Sequence, residues 1–196
     1  SIFRPNALST RLRNVFNASA VTSNGKSLND QLCSGPKLQN SIIEILTKAR
    51  TFQVIVTADI AKMFRQILLL PEDCKKLRII WREKPSDELR EFQLETVTYG
   101  TECAPYQSLR TIQQCAVDNA QSETLAKIIK EAFYVDDFVY GADTVEECKE
   151  LITQVTHTMA QGQFPLTKFM SNDAAVLREI PEEKKITSYA KDNVEK

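Results

Sequence analysis

Phe133-Tyr134-Val135-Asp136-Asp137-Phe138-Val139-Tyr140 is the stretch that organises the reading of this chain. Two adjacent carboxylates interrupt a run that is otherwise apolar and aromatic. The flanks favour strand, whereas Asp is disfavoured in strands and welcome in turns. The pattern predicts a tight β-hairpin with Asp136 and Asp137 at its tip. Many hairpins carry an Asp in the turn for its own sake. Two like charges crowded at one tip are nonetheless unfavourable unless a cation sits there, which gives the pair a chemical reading too.

Working outward, Phe52-Gln53-Val54-Ile55-Val56-Thr57-Ala58-Asp59 has the apolar, β-branched character of a buried strand and ends in a carboxylate. Such an Asp is either a helix N-cap or a functional group. Strand patterns also occur at Ile67–Leu70, Leu77–Arg82 and Glu91–Val97, and Pro36 opens a helical pattern through Ala49. A helical pattern runs from about 104 to 132, with a break near Asn119 to Ser122. Thr144-x-x-Glu147 forms a capping box, and Val145, Cys148, Ile152, Val155 and Met159 then share one face. Gly162 closes that helix, and a last strand follows to Phe169.

The resulting order is strand (52–59), helix (104–132), hairpin (133–140), helix (144–161) and strand (163–169). It is the β-α-β-β-α-β series of a ferredoxin-like α+β fold, with a strand-rich insertion after the first strand. That topology makes the first strand and the hairpin neighbours at the centre of the sheet. Asp59 is therefore expected to meet Asp136 and Asp137 at one edge. Three carboxylates without histidine or cysteine favour hard cations, Mg2+ or Mn2+. Two such ions held about 3.5–4 Å apart support in-line phosphoryl or nucleotidyl transfer.

Composition narrows the alternatives. Over 196 residues, 42% apolar and 26% charged residues are those of a globular protein, and a net charge of −1 gives no general basic signature for nucleic acid. Five scattered cysteines without a Cys-x-x-Cys pair, and His157 as the one histidine, argue against zinc and for idle thiols in a reducing compartment. No apolar run approaches the roughly 18 residues of a membrane span. The start at Ser1, without Met or signal layout, is that expected of a piece of a longer chain.

Tyr134-Val135-Asp136-Asp137 resembles the Tyr-x-Asp-Asp signature of reverse transcriptases, and Thr57-Ala58-Asp59-Ile60-Ala61-Lys62-Met63-Phe64-Arg65-Gln66-Ile67 resembles their first catalytic motif. Leu12 to Ala20, Ser27-Leu28-Asn29-Asp30, Gly35-Pro36, Thr96 to Thr101 and Lys168-Phe169-Met170-Ser171-Asn172 are similar, more narrowly, to the BEL/Pao class of LTR retrotransposons. These matches run in the family's order from about Leu12 to Pro181.

The resemblance implies the palm of a right-hand polymerase over 51–180, with an insertion at about 66–98. It further implies a partial fingers segment over 1–50 and a polar tail, 181–196, leading toward a thumb. Asp59, Asp136 and Asp137 would hold two Mg2+ or Mn2+ ions. Lys168 would protonate the pyrophosphate. Arg13, Phe64, Tyr99 and Gly100 would bind the nucleotide, with Phe64 excluding a ribose 2′-hydroxyl, and Tyr134 and Pro105 would meet template or primer. The implied partners are dNTPs, an RNA or DNA template-primer, and the protease, RNase H and integrase parts of a polyprotein. The implied setting is cytoplasmic, in a virus-like particle, with no membrane. The sequence departs from the family at Asn17, where Asp is usual, and at Phe169, where Trp is usual. Asn17, the near-neutral charge and the missing Met favour a second reading, a catalytically decayed relic that only binds nucleic acid or protein. A third, another two-metal palm enzyme such as a nucleotidyl cyclase, is opposed by the Tyr99-Gly100 to Pro105 loop and the segment around Arg13.

Overall fold

Local pattern sets the elements, and the computed structural model describes residues 2–3 and 12–186, with side chains from residue 14 onward. Short strands β1 (Ile2–Phe3) and β2 (Leu12–Arg13) pair antiparallel. Helix α1 (Ile42–Ala49) leads into β3 (Val54–Ile60), and a one-turn α2 (Pro71–Cys74) precedes β4 (Arg78–Trp81) and β5 (Arg90–Gln93). Helices α3 (Ala104–Asn119) and α4 (Glu123–Ala132) carry the chain to β6 (Phe133–Tyr134) and β7 (Asp137–Ala142). Then come α5 (Val145–Gln161), β8 (Leu166–Ser171) and α6 (Ala174–Leu177). The chain divides into two units: one within Ser1–Lys37 and Phe64–Ser108, the other within Leu38–Met63 and Leu109–Lys196.

The second unit is an α+β layer structure on a four-stranded sheet of order β6-β7-β3-β8, every neighbouring pair antiparallel. Counting only these strands in chain order, the arrangement is 4-1-3-2 read from β8. Along β3, Val54, Val56, Ala58 and Ile60 are buried and alternate with Ile55, Thr57 and Asp59, so one face is core and the other is not. Helix α5 packs on β3 and β7 and buries Cys148, Leu151, Ile152, Val155 and Met159. Helix α3 buries Leu109, Ile112, Cys115 and Ala116 and meets α5 where Cys115 Sγ donates to Thr158 O. The Thr144–Glu147 capping box starts α5 as its spacing predicts. Ser122 accepts from Leu125 N to start α4, which places the expected helix break at 120–122. At the end of α5 the left-handed residue is Gln163, φ +62. Gly162 is required for space instead, since a Cβ there would lie 2.4 Å from Cys115 Sγ.

Two sequence expectations are corrected. The helix begins at Ile42 behind an extended Ser41, and Pro36 lies outside it. The residues between, Gln39 and Asn40, are outside any helix and bond their side chains to backbone elsewhere. Ile67–Leu70 is also not a strand. It makes only a bridge, Leu68 to Thr96, with Leu69 N donating to Glu95 O and Val97 N to Ile67 O, before Pro71 opens α2.

The first unit is loop-rich. β4 and β5 form an antiparallel hairpin with Ile80, Trp81 and Phe92 exposed. The five cysteines are free thiols, of which Cys74, Cys115 and Cys148 are buried. Among the described residues no helix is long and apolar enough to cross a membrane.

Candidate active site

The register of the sheet pairs two of the acidic residues directly. Asp59 is the direct partner of Asp137 across β3 and β7, and Ile60 N donates to Asp136 O at 2.9 Å. The two carboxylates facing each other leave the open side of the sheet, where directly opposed like charges are destabilising. Tyr134 pairs with Asp137, so the hairpin loop is Val135 and Asp136, and Asp137 is the first residue of β7 rather than a second tip residue. The loop has φ +56 at Val135 and no positive φ at Asp136, the sign pattern of a II′ turn. Glycine is the usual residue at that position. A β-branched side chain there stores on the order of 1–3 kcal/mol of strain.

Lys168 reaches the same place by a second irregularity. Between Thr57 and Asp59 the pairing with β8 slips, from Met170 to Thr167, which inserts one extra residue into β8. Lys168, in the bulge, has φ +56. The bulge lets Leu166 and Phe169, three apart, both bury their side chains, and turns Lys168 outward over Asp59. Lys168 Nζ donates to Asp59 Oδ2 at 2.7 Å. Asn172 extends this edge, its amide accepting from Ile55 N and donating to Gln53 O.

Burial first, then the charges of Asp136 and Asp59, raises the Asp137 carboxyl above its ordinary value of 3.8, and Lys168 acts the other way. The carboxylates are thus near enough to resist sharing their charge. Their donor set is all oxygen, which suits a hard cation such as Mg2+ or Mn2+. Among the described residues no three acidic, thiol or imidazole groups are gathered in a ligating arrangement, and the cation beside Asp59 is the Lys168 ammonium.

Of the remaining sequence candidates, Tyr134 is in this sheet, beside Asp137, and the others belong to the first unit. Tyr134 is partly exposed on β6. Phe64, half-buried, lies in a 3-10 turn, Met63–Gln66, in the first unit. Tyr99 lies tilted against Phe16 with ring centroids 5.3 Å apart, and Gly100, φ +95, is needed because a Cβ would meet Phe16 O at 2.4 Å. Pro105 is exposed in the first turn of α3. The side chain of Arg13 lies outside the described residues. Asn29 knots the first unit: Nδ2 donates to Ser19 Oγ and Gly100 O, and Oδ1 accepts from Glu102 N. Asn17 Oδ1 accepts from Ser19 N in the turn beside it, a bond that an Asp would make equally well.

Sequence reading missed Gln39. Its Oε1 accepts from Val135 N at 2.9 Å and its Nε2 donates to Phe133 O at 3.2 Å. Next to it, Asn40 Nδ2 donates to Lys130 O and Glu131 O at the end of α4. Nothing in the local pattern marks these residues beyond their place just before a helix, because the bonds span 90 positions of sequence or more.

No protein-family model matches the chain, and no curated protein matches it. A solved structure does. It is the prototype foamy virus protease-reverse transcriptase, a selenomethionine-labelled mutant, at a TM-score of 0.56 and 14% sequence identity. This fold is shared with a viral reverse transcriptase. The alignment covers 76% of this chain and 20% of the viral one, so the chain spans about a fifth of that protein's length. At such identity the likeness is one of fold.

Proposed function

We propose that the chain is the fingers-and-palm part of an RNA-directed DNA polymerase from a BEL/Pao-type LTR retrotransposon. The observation that carries the reading is Asp59 opposite Asp137, one bond from the Asp136 turn, on a sheet shared with a reverse transcriptase. The sheet unit corresponds to the palm and the loop-rich unit to a partial fingers.

Asp59, Asp136 and Asp137 would hold two Mg2+ or Mn2+ ions, which would supply Lewis-acid charge stabilisation to phosphoryl transfer. The register keeps the carboxylates on one face, and the strained turn fixes where Asp136 points. Lys168, paired with Asp59 here, would serve as a proton donor for pyrophosphate. Resemblance gives Phe64 the exclusion of a ribose 2′-hydroxyl, gives Arg13, Tyr99 and Gly100 contacts to a dNTP, and gives Tyr134 and Pro105 contacts to template or primer. The partners are an RNA or DNA template-primer and the rest of the polyprotein.

The test is dNTP addition to a primed RNA template by the full-length parent with Mg2+. Asp136→Ala should reduce turnover by about 10³-fold, the several kcal/mol of metal-assisted charge stabilisation at 1.36 kcal/mol per decade. Turnover retained in that variant overturns the mechanism. The carboxylates' ungathered arrangement and the Lys168–Asp59 pair favour a second reading, the decayed relic that binds nucleic acid or protein without catalysis. A folded chain that takes up no Mn2+ decides for it.

A further inference from the structure

We propose that Gln39 is a positioning residue whose carboxamide acts as a one-residue strand, fixing the Val135–Asp136 turn for cation binding. The inference rests on the reading of Asp59, Asp136 and Asp137 as cation-holding carboxylates.

β6 is the outer strand of its sheet, so among the described residues no strand pairs with its far side. Gln39 fills that place at the one point where it affects the turn. Its amide donates to Phe133 O and accepts from Val135 N, two residues on, which is the spacing a neighbouring strand uses. A main-chain amide and a carboxamide have the same donor and acceptor, so one side chain can stand in for one rung. The bond to Val135 N matters because Val135 holds a backbone conformation that glycine would adopt more readily. Such a conformation persists where its surroundings over-determine it. Ile60 N holds the turn from the inside, through Asp136 O, and Gln39 holds it from the outside, through Val135 N. Asp136 lies between those two anchors. Removing the outer one frees the turn to relax and moves the Asp136 carboxylate relative to Asp59 and Asp137.

Asn40 is the internal control. Its side chain bonds to the last turn of α4 and not to the hairpin loop. Gln39→Ala removes both hairpin bonds. Gln39→Glu keeps an acceptor for Val135 N and, ionised, loses the donor to Phe133 O.

The experiment follows two signals in the 196-residue chain: amide hydrogen exchange at Val135 by NMR, and Mn2+ affinity from the loss of the free-ion resonance signal. Gln39→Ala should speed exchange at Val135 by about three- to tenfold, the loss of one hydrogen bond. It should weaken Mn2+ by about tenfold, as losing support behind a metal ligand does. Asn40→Ala should leave both near wild type, and Gln39→Glu should keep most of the Val135 protection. Equal Mn2+ affinity in Gln39→Ala and Asn40→Ala, with wild type binding normally, overturns the role of Gln39. Wild-type chain that takes up no Mn2+ overturns the cation reading itself, whatever Val135 shows.

Discussion

Hairpin β6–β7 turns through two residues, Val135 and Asp136, whereas β4 and β5 are joined by the longer loop 82–89. Both are antiparallel pairs of regular register. In the first, Phe133 and Phe138 are directly paired, buried, and 5.3 Å apart by ring centroid. In the second, Phe92 is 45% exposed and Trp81 56% exposed. The tight hairpin tolerates a left-handed valine and opposed carboxylates because the aromatic pair, the ladder to β3 and Gln39 all hold it. The loose hairpin has no comparable packing and carries no comparable irregularity. Strain and charge repulsion are therefore placed where burial is sufficient to hold them.

The aromatic pair carries the largest difference between the two hairpins. Phe138→Ala should cost about 3–5 kcal/mol in chemical denaturation, through lost burial and the cavity left behind. Phe92→Ala should stay within about 0.5 kcal/mol of wild type by the same measurement. Similar losses in the two variants would remove the distinction between the hairpins.

The strained turn sharpens it. Val135→Gly should gain on the order of 1 kcal/mol, since relief of the left-handed strain outweighs the added freedom of the unfolded chain. A loss of that size would mean that Val135 is not strained where it stands.

The smallest effect is electrostatic. The fold raises the Asp137 carboxyl, so it favours the protonated form, and that stabilisation is lost as pH rises from about 3.8 through the raised value. Asp137→Asn should therefore raise the melting temperature at pH 7 by about 1–2 °C. The gain should vanish below pH 4, where wild type is protonated as well. A gain that persists in acid would assign it to something other than charge.

Much of the fold was legible because local rules and tertiary structure agree. The capping box at Thr144, the alternation of β3 and the apolar face of α5 are short-range patterns, and each element formed where its pattern predicts. The strand order then made neighbours of Asp59 and Asp137, which sequence separation alone hides. Pro36 and Ile67–Leu70 misled because propensity was read without knowing what else the backbone would bond to. Gln39 and Asn40 tie one of these segments to the β6 hairpin and α4, and a single bridge is all that the other makes.

The sequence by itself determined which residues bring carboxylate chemistry and which helices and strands present them. Those facts depend on residue type and on spacings of two, three and four positions. Tertiary structure alone decided three further things: that the loop is Val135–Asp136, that a bulge in β8 swings Lys168 onto Asp59, and that Gln39 completes the edge of β6. Each depends on register between distant strands, and register is set by the packing of a shared core, to which no local pattern has access.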